Sequence, residues 1–247
     1  MRFNKIVAVC SLAALPVTSN ADILSFAIGG GVWNETPTGN IIKPSDAITP
    51  TVDVENQLFW SEESQGYLFA TLEHPVPILP NVRVMYTKLD HAGSGTTVFE
   101  FDGSSFSGNV ANEFSIEQMD ILGYYEVLDN VVSLDLGLNI RLLDLSYQIA
   151  DDFGTNTSGS VSAPVPMLYG LIGGSPWPGL LLSVEGNYLS ISGSTLSDFS
   201  AKIAYTTSFL VGFEAGYRAQ TLELDDVDDT NAKLDFKGPF IGAYLKF

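Results

Sequence analysis

The segment 209–220, FLVGFEAGYRAQ, changes character at every step. Phe209, Val211, Phe213, Ala215, Tyr217 and Ala219 fall on one face, and Leu210, Gly212, Glu214, Gly216, Arg218 and Gln220 on the other. Only an extended strand sorts side chains with a period of two. The first face is apolar and aromatic, while the second mixes glycine with charges of both signs. A strand of a water-soluble sandwich turns its charges to bulk water. Small residues beside opposite charges suit a narrow polar lumen, with the apolar face against lipid.

The pattern recurs. In 131–142, Val132, Leu134, Leu136, Leu138, Ile140 and Leu142 alternate with Ser133, Asp135, Gly137, Asn139 and Arg141. Similar alternation covers 198–206, 180–188 and 82–87. It is less regular in 23–33 and 66–74, and in 113–127 the parity changes between Ile116 and Met119, which predicts a bulge. Pro164 and Pro166 predict interrupted pairing near the start of 162–173. Ten strands result, about 23–33, 65–74, 81–91, 113–127, 131–147, 162–173, 180–192, 197–206, 209–224 and 231–247. Eight remain possible if two of these lie in loops. The predicted fold is all-β: a transmembrane antiparallel up-and-down β-barrel. Short connectors (PVPILP, LDN, GSPWPG, TS) predict periplasmic turns, and longer polar ones, notably 34–64 and 92–112, predict extracellular loops.

Composition enters as a constraint on this reading. Charged residues make up only 16% of the 247, against about 25% in soluble proteins. Beyond residue 21 no apolar run approaches the roughly 20 residues that a spanning helix needs. Residues 1–21 read as a cleaved signal peptide: Arg2 and Lys5, an apolar Ile6 to Leu15, then Ser19-Asn20-Ala21. Residues 22–247 form the barrel domain. Cys10 falls inside the signal, so the remaining chain has no thiol for catalysis, disulfides or metal. Loss of Arg2 and Lys5 leaves nine basic residues against 29 acidic ones, a formal charge of −20. That excludes nucleic acid as a partner.

The last segment, PFIGAYLKF, places Ile241, Ala243, Leu245 and Phe247 on the lipid side. With Gly29-Gly30-Gly31 before Trp33 in the first strand, it resembles the small outer-membrane β-barrel proteins of Gram-negative bacteria. It is similar in particular to a group with a Gly-Gly-bearing first strand and a C-terminal Phe. The resemblance covers nearly all of 22–247. It implies insertion by the barrel assembly machinery, with periplasmic chaperones, and it carries over no activity and no catalytic residue.

Several constellations are candidates for function. Glu73, Arg83, Asp120, Asp135, Arg141, Glu185, Lys202, Glu214 and Arg218 fall on predicted lumen faces, with Glu126 and Lys246. Paired across a narrow barrel they would fill it; unpaired they would line a solute path. His91, with Asp90, Ser94 and Ser104, is placed at the outer rim, where a hydrolase would need a base. Asp225, Asp226, Asp228 and Asp229 form one acidic outer turn, and Asp151-Asp152 another, each able to attract cations. Trp33, Trp60, Trp177, Tyr188, Tyr217 and Tyr244 suit interfacial girdles. The leading expectation is a monomeric, non-enzymatic barrel with a filled lumen, in contact with outer-membrane lipid and lipopolysaccharide, without cofactor or metal. A narrow channel and a His91 hydrolase are the alternatives.

Overall fold

The computed structural model describes residues 24–44 and 49–247. The expected signal peptide, 1–21, lies outside them. Among the described residues there are eleven strands: β1 (Ser25–Ile42), β2 (Val52–Asp53), β3 (Glu63–Glu73), β4 (Asn81–Phe101), β5 (Ser104–Asp129), β6 (Val132–Asp151), β7 (Asn156–Gly174), β8 (Leu180–Ile191), β9 (Ser194–Thr206), β10 (Val211–Leu224) and β11 (Asn231–Lys246). Ten of them form an antiparallel barrel in chain order, closed by β11 against β1; β2 is an added two-residue strand on β1. At the seam Phe247 N donates to Phe26 O (2.7 Å) and Phe26 N to Phe247 O (3.1 Å). Following the register once around from Gly29 returns to β1 at Ile41, 12 residues further along. For ten strands that stagger corresponds to a tilt of about 40°.

The start of β1, the end of β11 and the four short turns at 74–80, 130–131, 175–179 and 207–210 share one end, which is the periplasmic end. Above it runs an outward apolar belt that includes Ile28, Val84, Ile121, Leu138, Ile203, Phe213 and Ile241, all exposed. Closure leaves no strand edge in the hydrocarbon, so every backbone donor there finds a partner. Leu138→Arg, in the middle of the β6 belt, is expected to destabilise the barrel by about 2–4 kcal/mol. Urea midpoints in lipid vesicles measure this, and no shift would mean that Leu138 does not face lipid.

The belt stops well below the outer tips. On β5 the outward residues change from Ile121 and Met119 to Glu117, Ser115 and Glu113, and on β6 from Leu142 to Asp144 and Ser146. At the same level the inward residues change the other way, from Asp120 and Arg141 to buried Ile116, Phe114, Tyr147 and Ile149. Strands here are in water, so the apolar face turns inward. This corrects two expectations. There is no bulge at Ile116–Met119; the β4–β5 register runs unbroken through it, and the irregularity lies at Glu126/Leu128. The segments 34–64 and 92–112 are not mainly loops, because β1 continues to Ile42, and β4 and β5 continue to a turn at Asp102-Gly103.

The extension is uneven, since β5 has 26 residues and β8 only 12. β7 pairs with β6 along nearly its whole length but with β8 only from Leu168 onward. Pro164 and Pro166 therefore stand on a free edge, where a missing N–H costs no ladder bond.

Candidate functional site

The inward positions of the belt region carry the predicted charges, arranged at successive heights. At the upper level Arg141 bonds Asp120 through Nε (2.8 Å) and Nη2 (2.9 Å), and its Nη2 also reaches Asp198 Oδ2 (2.7 Å). Arg218 grips Asp198 from the other side (2.9 and 2.7 Å), donates to Thr87 Oγ1 (3.2 Å) and lies 4.6 Å from the Trp33 ring centre. Two carboxylates thus meet two guanidiniums, with Arg141 0% exposed. One level lower, Glu185 binds Arg83 (2.8 Å) and Lys202 (3.5 Å), and Lys202 also reaches Glu214 (3.5 Å). Lower still, Lys246 pairs with Glu73 (3.3 Å). Planar bidentate forks fix both arginines, which lysine would not do. Many of these contacts cross the lumen; Tyr67 on β3 reaches over Gly31 and Gly242 to donate to Glu214 on β10 (2.7 Å). A Cβ at Gly31 would lie 2.5 Å from that phenol oxygen, so this first-strand glycine makes room for it.

The charges do not fill the whole interior. The outer half is a hydrophobic core of Trp33, Leu89, Phe106, Phe114, Ile149, Phe236 and their neighbours, all buried. The segment 52–60 tucks into it from above. Val54 and Leu58 are fully buried, Trp60 Nε1 donates to Asn112 Oδ1 (2.8 Å), and Asn112 Nδ2 donates to Leu58 O (2.8 Å). Gly93 permits this approach, since a Cβ there would overlap the Leu58 carbonyl oxygen. The Gly93-Ser94-Gly95 stretch is therefore a strand that seats a plug.

Inside this core sits a pair that the sequence reading missed. His91 Nε2 lies 3.1 Å from Glu35 Oε1, with both side chains at or below 1% exposure. The imidazole is stacked between Trp60 (4.9 Å) and Phe236 (5.5 Å). The contact is close enough for an ion pair but is not aligned as a hydrogen bond. Glu35 escaped notice because 34–64 reads as a loop; the alternation of Trp33, Glu35 and Pro37 as buried positions was the available signal. The rim constellation around His91 does not assemble. Asp90 and Ser94 point outward, Asp90 accepting from Ser115 Oγ (2.6 Å) and pairing with Lys88 (3.2 Å), while His91 is sealed inside.

The remaining candidates take the following places. Asp225, Asp226, Asp228 and Asp229 lie in an exposed outer turn where the last three have positive φ. Among the described residues no group of three or more His, Cys, Asp or Glu is placed to hold a metal ion. Asp151 organises its own turn, accepting from Phe153 N (3.0 Å) and Thr155 N (2.8 Å). Ile241, Ala243, Leu245 and Phe247 all point outward. Of the aromatic residues, Trp177, Tyr188 and Tyr217 are exposed on the outer surface, but Trp33 and Trp60 are core and Tyr244 faces the lumen, bonded to Thr206 (2.8 Å). In the aqueous outer half an outward tryptophan has no membrane interface to occupy, and the core takes these rings instead.

No protein-family model matches the chain, and comparison with curated sequences gives no match. Among solved structures, the attachment invasion locus protein Ail of Yersinia pestis aligns at 10% identity over 91% of this chain and 99% of its own, with a TM-score of 0.41. The outer membrane protease OmpT of Escherichia coli aligns at 10% identity over 92% and 97%, with 0.49. Neisserial surface protein A aligns at 12% identity over 92% and 100%, with 0.34. Such distant likenesses say nothing about activity. The class follows from the molecule itself: a closed antiparallel barrel, apolar outward and charged inward across a membrane-height belt, is a transmembrane β-barrel of the outer membrane. This one has ten barrel strands, a paired-charge interior within the membrane and an apolar core beyond it.

Proposed function

We propose that this barrel conducts nothing and works through its outer end, as a structural or surface-interaction protein of the outer membrane. The observation that carries this is the closure of the lumen at two successive heights. The Asp120–Arg141–Asp198–Arg218 cluster blocks it within the membrane, and the core around Trp33, Phe106 and Phe236 blocks it above. The sealing of His91 inside the core speaks against the hydrolase reading. What the molecule offers its surroundings is the tall β4–β7 wall, whose outward residues Asp90, Glu113, Glu117 and Asp144 are solvated. On this reading the chain is a monomer held in outer-membrane lipid and lipopolysaccharide. It is delivered by periplasmic chaperones, and the barrel assembly machinery reads the outward Ile241, Ala243, Leu245 and Phe247.

The test is planar-bilayer recording of the folded protein. No conductance steps are expected over ordinary holding potentials. Regular single-channel steps from heat-modifiable, fully folded protein would overturn the closed-barrel reading in favour of a narrow solute path.

A further inference from the structure

β7 leaves most of one edge free. It pairs with β6 from Asn156 to Gly174, but with β8 only from Leu168 onward, and β8 ends at Ile191. From 156 to 167 no strand among the described residues lies against its other edge. The β6–β7 register runs unbroken past Pro164 and Pro166, so positions of their parity turn their backbone groups to the free edge. The two prolines bring no N–H there, but Ser158, Ser160 and Ser162 do. Ser162 stands opposite Asp144, the level at which the outward residues of β6 turn polar, so these donors and their carbonyls are in water. Such a row is a template for a further strand, and native edges are usually blunted by lysine, proline or a bulge. The stretch 156–163, NTSGSVSA, has none of the three.

We infer that this edge takes up an extended basic peptide as an added strand. The backbone supplies the pairing, as in β-augmentation, and the side chains on the two faces supply the selection. Inward, Val161 is 38% exposed, whereas Met167 of the same parity is buried. A strand laid beside Val161 covers that apolar surface with apolar residues of its own. Outward, the new strand extends a wall that carries Asp144, which accepts from Ser162 Oγ, with Glu117 and Glu113 beyond it. Across the gap, at the β8–β9 turn, the Asp225 carboxylate lies against Gly193. A chain with 29 acidic residues against 11 basic ones meets a basic partner with the opposite charge. The peptide that fits therefore alternates apolar and basic residues. A second copy in the same membrane does not fit. Two barrels side by side would cross their β7 strands at about twice the strand tilt, roughly 80°, far from the angle of a ladder. Pairing of this kind rests on the outer end serving as the contact surface proposed above.

The probe is a fluorescein-labelled peptide of four Lys-Val repeats, titrated by fluorescence anisotropy into the protein folded in detergent micelles. One-to-one binding is expected. In an antiparallel pair the outward lysines stand opposite the serines and direct their N–H groups to β7. The same peptide N-methylated at its lysine nitrogens in the backbone keeps its charge, loses those donors and is expected to bind about tenfold more weakly. Ser160→Pro removes the middle donor of the edge without touching the β6 ladder. It is expected to weaken the unmodified peptide about tenfold as well, with folding read from heat-modifiable migration. If that variant fails to fold, amide exchange followed by NMR decides. The Ser158, Ser160 and Ser162 amides are expected to exchange fast in the free protein and about tenfold more slowly with peptide bound. No binding, equal binding of the N-methylated peptide, undiminished binding by folded Ser160→Pro, or amides left unslowed overturns the inference. So does slowing of the same amides by lipopolysaccharide alone, which would give the edge to sugar hydroxyls. Conductance steps in the planar-bilayer test would instead overturn the closed barrel and leave a bound peptide standing, so the two failures are told apart.

Discussion

Asp198→Ala is expected to destabilise the folded barrel by about 3–5 kcal/mol, the usual cost of removing one partner from a buried ion pair. The carboxylate is the hinge of its cluster, accepting from both Arg141 and Arg218. Its loss leaves two guanidiniums beside one remaining acid, Asp120, in an interior where Arg141 is 0% exposed. The urea midpoint of the refolded protein in vesicles measures the effect. Adding Arg218→Met to Asp198→Ala is expected to restore part of the loss, because one orphaned charge is then gone. A midpoint unmoved by Asp198→Ala would mean that water reaches this level, and the barrel would then have a hydrated path where we describe a seal.

Trp60→Ala is the second large effect, and it is local. Truncating a buried tryptophan costs about 3–5 kcal/mol, and here the ring also holds segment 52–60 through Asn112 and covers His91. The segment's other anchors are Val54, Leu58, the two-residue β2 and two hydrogen bonds to the wall, Val54 N to Gly39 O (3.1 Å) and Gln57 Nε2 to Val98 O (3.2 Å). It is expected to undock while the barrel stays folded. Added protease on intact cells should then cleave within 49–62, a site protected in the parent. Gly93→Val attacks the same contact from the opposite wall and should give the same cut. Resistance of both variants to cleavage would show that the plug is held by something other than Trp60 and its seat.

The ten strands were legible because lipid imposes a strict rule, apolar out and small or polar in, that 211–219 and 132–142 obey. Hence Glu214, Arg218, Asp135 and Arg141 could be placed on the lumen side from parity alone. Which carboxylate meets which arginine could not, because pairing across a lumen depends on stagger and tilt rather than on any one strand. The outer half was misread for a different reason. Period two survives there, but the face that carries the apolar residues is exchanged, so Ile116 looked like a slip and Phe99, Phe101 and Phe106 looked like loop. Glu35 was lost with them and His91 was set at the rim, since an ionisable pair inside an apolar core follows neither half's rule.

That exchange of faces divides the molecule thermally as well as spatially. Opening the outer end would hydrate Phe99, Phe106, Phe114 and Phe236, and newly wetted apolar surface raises heat capacity. The belt would stay in hydrocarbon throughout and contribute nothing. An opening of this kind has a curved dependence on temperature, favoured by both cold and heat, above a foundation nearly indifferent to either. The half of the protein that faces the outside world is thus the half whose cohesion varies with the temperature of the water around it.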